Sequence, residues 1–378
     1  ITEWQVNSLS LGAQFNPAVA SFPDGSFVIA WQSQDQDGDG YGIAGRVYSS
    51  DGSAMTGEIQ LNQMVDGDQK NADVAVVGDD HFVVVWQGFA QNCCWEKVRA
   101  RRFGKDGSPM GNEIEVSKLW VGEAWPRIVG HADGSWIIAW GSAIIMAQMY
   151  NSDGSTYGTE FNVSTSVGAS DGYPDISAAE EGFVVVWRRQ AGGEPSAVLG
   201  QFYDSDGTKQ GIAEFVGNTS PHYSGGPAIA SAPDGKYLLT WEGKKGDQPS
   251  TVGIYGQLLS YGGSHVGAEF LANPLGFQAP AAPAVTASPG GGFVVVWEAP
   301  LQDGDDMGVF GQRFDGAAVK IGPEFQANTF NQSGQYRPDV ASFPDNSFVV
   351  VWYSSSQDGD GYGIFAQRFN ADGTKKYH

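Results

Sequence analysis

Three stretches of this 378-residue chain set carboxylates among glycines at nearly alternating positions. SQDQDGDGYGIAGR, at residues 33–46, carries Asp35, Asp37 and Asp39. LQDGDDMGVFGQR carries Asp303, Asp305 and Asp306, and SSQDGDGYGIFAQR carries Asp358 and Asp360. Hard divalent cations such as calcium take several carboxylate and carbonyl oxygens, and glycine lets a chain wrap tightly around them. The distal glutamate that completes an EF-hand loop is absent at that offset. Calcium and a solvated Asp-Gly turn therefore both stay open for these loops.

A second chemistry lies where the acidic loop is replaced. GFAQNCCWEKVRARRF brings Cys93, Cys94, Trp95 and Lys97, and VSKLWVGEAWPR adds Trp120, Trp125 and Arg127. Aromatic faces beside polar and cationic groups hold sugar rings, because the apolar ring face stacks while the hydroxyls hydrogen-bond. Plain packing over a region poor in loops is the alternative. The adjacent cysteines form a vicinal disulfide in an oxidising compartment or remain thiols, and no His or Cys cluster accompanies them to hold a metal.

Catalytic signals are sparse. His81, His131, His222, His265 and His378 share no motif, and His222 with Tyr223 is the one pair expected on a loop-rich surface. Glycan cleavage wants His with Tyr or Arg, or two carboxylates of separated pKa. The sequence offers no such set in one stretch, so the expectation is a chain with no catalytic residues and no enzymatic activity.

The scaffold for these residues is visible as self-similarity. A turn followed by an aromatic-aliphatic strand ending in tryptophan recurs as SFVIAW, HFVVVW, SWIIAW, GFVVVW, KYLLTW, GFVVVW and SFVVVW. The seven copies end at Trp31, Trp86, Trp140, Trp187, Trp241, Trp297 and Trp352. A short, small-residue strand (PAVAS, PDISA, PAIAS, PDVAS) precedes each tight turn, and two further strands follow, as in GIFAQRF and PEFQAN. Asp-Gly pairs supply the positive φ that short hairpins need. Seven four-stranded units predict an all-β, seven-bladed β-propeller over residues 1–378 as a single domain. ITEWQVN at the N-terminus matches a fourth strand, and the chain stops after a third, so the N-terminal strand is expected to complete the last blade. A glutamine recurs in the third strands, at Gln148, Gln201, Gln257, Gln312 and Gln367, which points to a structural hydrogen bond repeated around the ring.

Composition narrows the partners. A formal net charge of −22 at pH 7 disfavours nucleic acid, whose phosphates need clustered Lys and Arg. No apolar run reaches the roughly 20 residues of a membrane helix. The start at Ile1 suggests a processed product. Sequons at Asn162, Asn218 and Asn331 matter only in a eukaryotic secretory pathway.

Residues Asp24–Arg46 and Phe343–Phe369, with weaker copies between them, resemble the roughly 50-residue repeats of large secreted bacterial proteins of the RTX and adhesin type. The resemblance implies an extracellular propeller, often a module of a larger surface protein, and no defined reaction. Function is therefore expected on the variable loop face, as a secreted or cell-surface binding or adhesion module for a glycan or cell-surface ligand. A structural subunit of an extracellular fibre, through self-association, and a polysaccharide lyase or hydrolase are the alternatives.

Overall fold

The structure, a computed structural model, describes residues 3–89, 96–165, 169–179, 182–191, 196–216, 226–244, 252–274 and 279–377. Seven antiparallel four-stranded sheets follow the seven repeats. Blade 1 is typical, with strands Gln14–Ser21, Phe27–Gln34, Tyr41–Tyr48 and Ile59–Gln60 ordered from the axis outwards. The last blade takes Gln335–Ser342, Phe348–Ser355 and Tyr362–Phe369, and its fourth strand is Glu3–Gln5, pairing Glu3 with Gln367 and Gln5 with Phe365. The ring is thus closed by the N-terminal strand, as the repeat arithmetic predicts. No helix occurs among the described residues.

The second strand of each blade reads as an unbroken apolar run because both of its faces are buried. In blade 1, Ile29 and Trp31 pack with Val349 and Val351 of blade 7, while Val28 and Ala30 pack with Val84 and Trp86 of blade 2. Each core therefore lies between blades. All seven repeat tryptophans are buried there. Aromatic pairs lock the second strand to the third: Phe27 on Tyr48, Phe183 on Tyr203 and Phe348 on Phe369 stack at 4.8–4.9 Å between centroids.

The recurring glutamine has the structural role its regularity suggests. Between third and fourth strands the register slips at Gly200/Phe202, Gly256/Leu258 and Gly311/Arg313. Gln201, Gln257 and Gln312 sit in these bulges, where Nε2 donates to the next residue's carbonyl at 2.9–3.0 Å and to a fourth-strand carbonyl at 3.0–3.3 Å. The side chain replaces the ladder bond that the bulge interrupts.

A second bulge shapes the axis. In blades 1, 2, 4, 6 and 7 the register between first and second strands slips just before the innermost residues. In these five blades a non-glycine residue takes positive φ there, Asn16, Asn71, Tyr173, Ala282 and Arg337, and Trp125 does so just before the first strand of blade 3, all at 45–56°. Such conformations cost of order 1–3 kcal/mol each and gather where a side chain must be re-aimed.

Because the cores lie between blades, truncating one tryptophan should weaken two sheets together. Trp241→Ala is expected to destabilise the protein by about 3–5 kcal/mol, read as a lowered midpoint in chemical denaturation.

Candidate functional site

The bulged residues surround one end of the central channel, on the face that carries the second-to-third-strand loops and the connections between blades. The channel is a cavity of about 280 Å³ lined by the first strands of all seven blades. Its mouth is formed by Asn16, Asn71, Trp125, Tyr173, Gly226, Ala282 and Arg337. Two residues further along each strand lies a deeper ring: Ala18, Asp73, Arg127, Asp175, Ala228, Ala284 and Asp339.

The deeper ring carries carboxylates that link blades. Asp73, Asp175 and Asp339 each accept a backbone N–H from the following blade, from Ile128 at 2.8 Å, Ile229 at 2.7 Å and Val19 at 2.8 Å. Arg127 stands between two of them, 3.9 Å from Asp175, and its charge also favours ionised Asp73. Desolvation nevertheless dominates at all three. Burial pushes Asp73 up, Asp175 to about 6 and Asp339 to about 7.

Above this ring, aromatic side chains form a strip across the mouth. Trp125 stacks on Tyr173 with centroids 5.3 Å apart. The guanidinium of Arg337 lies 5.1 Å over Trp125, and that of Arg188 lies 4.3 Å over Tyr173. Next to Arg337, Tyr336 stacks on Tyr353 at 5.3 Å, and Tyr353 meets Tyr362 edge-on at 5.4 Å. Phe15 contacts Tyr362 at 5.0 Å and Tyr41 at 5.9 Å, which carries the strip into blade 1. These rings are half-buried, each with a face or edge open to solvent.

Two carboxylates flank the strip from blade 6. Glu298, at the rim end of Phe293–Pro300, accepts the Arg337 N–H through Oε2 at 2.7 Å. Burial raises its pKa, opposed by the Arg337 hydrogen bond and charge and assisted by the charge of Asp306. Asp306 is exposed and accepts the Tyr336 hydroxyl at 2.6 Å. Burial first, and then Glu298, push the Tyr353 phenol up to about 12.

The residues singled out in the sequence divide among several places. Trp125 and Arg127 belong to the mouth and the deeper ring. Lys97 is only 4% exposed, and its Nζ donates to the carbonyls of Ser117 at 3.0 Å and Lys118 at 2.6 Å and pairs with Glu115 at 3.1 Å. Trp120, 48% exposed, covers it at 4.5 Å. This pair fastens the 117–120 turn. Cys93, Cys94 and Trp95 lie outside the described residues, as do His222 and Tyr223.

The acidic loops follow one repeated plan. Asp37, Asp303 and Asp358 accept the amide of Asn62, Asn328 and Asn7, at 2.6, 2.8 and 3.2 Å. The same amides bond Gln69, Gln335 and Gln14 at 2.8–2.9 Å. Asp39, Asp305 and Asp360 accept backbone N–H groups of Gly67, Ser333 and Gly12 at 3.0–3.3 Å. Asp35, at φ 55°, donates its N–H to the Gly40 carbonyl at 2.6 Å and closes the blade 1 loop. Each loop is clipped to the next inter-blade connection. Among the described residues no three His, Cys, Asp or Glu side chains converge as a ligand set. The glycine at the second position of each of these third strands makes room for Asp37, Asp303 or Asp358: a Cβ on Gly42, Gly308 or Gly363 would lie 2.5–2.6 Å from a carboxylate oxygen.

Glu298, Tyr336, Arg337, Tyr353 and Tyr173 escaped the sequence reading. A signal for Glu298 and Tyr353 exists within the repeat. The slot after the repeat tryptophan holds Gln32, Gln87, Gly141, Arg188, Glu242, Glu298 and Tyr353, and chemical variation at a fixed structural slot marks a surface free to specialise.

No family model and no curated protein matches the chain. Solved structures do match in fold. An ulvan lyase of a new polysaccharide lyase family, bound to -[GlcA(1-4)Rha3S]-, gives a TM-score of 0.61 at 10% identity, covering 97% of this chain and 96% of that one. The Penicillium chrysogenum α-L-arabinanase complexed with arabinobiose gives 0.54 at 13% identity, covering 97% and 98%. The GH93 α-L-arabinofuranosidase of Fusarium graminearum, also with arabinobiose, gives 0.52 at 11%, covering 97% and 98%. At such identities the likeness establishes the propeller fold. It also corrects the expectation of a chain without enzymatic activity. That expectation rested on finding no catalytic set within one stretch of sequence. Three of the neighbours that share the whole ring are carbohydrate-cleaving enzymes, and a ring assembles a rim from residues far apart in the chain.

Two outcomes test this geometry. Asp339 has a raised folded-state pKa, so the native state holds its proton more tightly than the unfolded chain, and stability falls as pH rises from about 4 to about 7. Asp339→Asn, which keeps an acceptor for Val19, should flatten that fall in thermal melts across the same range. Gly308→Ala should cost roughly 1–3 kcal/mol through overpacking against Asp303, while Gly122→Ala, with open space at its Cβ, should cost far less.

Proposed function

We propose that this protein is a carbohydrate-cleaving enzyme that lays a glycan chain across the channel mouth. The observation that carries this reading is the aromatic strip from Tyr41 and Phe15 through Tyr362, Tyr353 and Tyr336 to Trp125 and Tyr173. Successive rings suit successive sugar units, whose C–H faces stack while their hydroxyls reach side chains such as Asn16, Asn71 and Arg337. The strip crosses from blades 7 and 1 to blades 3 and 4, an extent that fits a polymer better than a single sugar. The three carbohydrate-cleaving enzymes of the same fold support the reading. An extracellular place of action goes with it, since polymeric glycans are met there.

The test is depolymerisation by the purified chain. A panel of arabinans, other neutral glycans and uronate-containing polymers is followed by viscosity and new chain ends, with calcium and with a chelator. Cleavage of at least one polymer is expected, with kcat/KM lowered at least about tenfold by Trp125→Ala, the loss of one stacking ring. Failure to cleave any of them would sink the reading. Loss of cleavage in chelator would reveal a cation requirement, which the aspartate loops beside the rim make worth testing.

A further inference from the structure

We propose that Glu298 is the catalytic acid of a glycosidic hydrolysis, with Asp306 as the carboxylate that takes the proton from the attacking water. The inference rests on the carbohydrate-cleaving reading above and adds the reaction and the residues.

The placement of Glu298 separates it from the carboxylates of the channel. Asp73, Asp175 and Asp339 lie in the deeper ring, below the aromatic strip. Glu298 stands at the rim, half-buried, one blade from the tyrosines. Its Oε2 is fixed by the Arg337 N–H at 2.7 Å. Oε1 carries no hydrogen bond among the described residues, so it is the oxygen able to hold and deliver a proton. Burial and the neighbouring Asp306 charge favour that proton, as an acid catalyst near neutral pH requires. Arg337 itself sits at positive φ, so the donor that aims Glu298 is held by a strained bulge anchored in the ring.

Asp306 supplies the contrast. It is exposed on the blade 6 loop, and its Oδ2 is oriented by the Tyr336 hydroxyl at 2.6 Å. Because Tyr336 and Arg337 are consecutive, one dipeptide of blade 7 positions both blade 6 carboxylates: the phenol holds Asp306, and the following N–H holds Glu298. Two carboxylates in unlike surroundings are what glycoside hydrolysis uses.

In the step, the Glu298 proton passes to the glycosidic oxygen as the bond from that oxygen to the anomeric carbon breaks. A water molecule adds to the anomeric carbon and gives its proton to Asp306. The products are two sugar chains with new hydroxyl groups, and solvent returns the proton from Asp306 to Glu298. No oxidant or cofactor enters the balance.

The experiment uses the full chain and the polysaccharide found by the panel. Glu298→Gln, which keeps size and an acceptor for Arg337, should lower kcat on the polymer by about 10²–10⁴-fold. On the dinitrophenyl glycoside of the released sugar, whose leaving group needs no proton, the same variant should stay within tenfold of wild type. A purely structural role would depress both substrates alike. Equal losses on both, or an undiminished rate on the polymer, would overturn the assignment of Glu298. Products carrying an unsaturated uronate would show elimination in place of hydrolysis and overturn this inference, while leaving the carbohydrate-cleaving reading intact. A wild-type chain that cleaves nothing would reject both.

Discussion

Seven sheets must meet around one axis, and the crowding there governs the rest of the molecule. The innermost strands can carry only small residues along most of their length, and Ala, Pro, Ser and Val fill them. Each strand must also turn from the blade connection into the channel within a few residues. To achieve this, six non-glycine residues around the mouth take positive φ. The ring accepts that cost because the large cores lie further out, between blades. Its consequence is chemical: six of the seven blades deliver a side chain to the channel mouth, and these differ in chemistry.

Around that mouth the polar groups fall into two kinds. Those that recur identically hold the ring together. The Asn62, Asn328 and Asn7 amides each join an acidic loop to a first-strand glutamine, and the third-strand glutamines mend the outer bulges. Those that differ from blade to blade have no such duty. Arg188, Glu298 and Tyr353 occupy one repeat slot with three chemistries. Regularity and variation within one repeat therefore separate architecture from chemistry.

Electrostatics in the channel follows from narrowness. In the deeper ring three aspartates stand around Arg127, and desolvation leaves two of the three carboxylates well above their usual range. At the rim the balance differs. Glu298 is desolvated by its blade and Asp306 is exposed, although one dipeptide of blade 7 orients both. There the guanidinium groups of Arg337 and Arg188 lie over aromatic rings.

The blade count, the strand order and the ring closure were legible in the sequence, because each rests on local patterns. Apolar runs, Asp-Gly turns and a tryptophan spaced by about one repeat declare a four-stranded unit wherever they occur. The orphan fourth strand at Glu3–Gln5 declared its partner by matching the unit. The acidic loops were equally visible, but their work was not: Asp303 and Asp358 bond residues 25 and 351 positions away along the chain. The site was less legible still. Trp125 and Arg127 stood out as departures from the repeat and Asp306 as part of an acidic loop, whereas Glu298, Tyr336 and Arg337 looked like ordinary strand residues. They come together only when blade 6 stacks on blade 7 and the bulge turns Arg337 to the mouth. Sequence patterning fixes what each blade is, since strand propensity and turn chemistry are local. Which side chains share the rim is decided by ring closure, which sets side by side residues that the chain keeps tens to hundreds of positions apart.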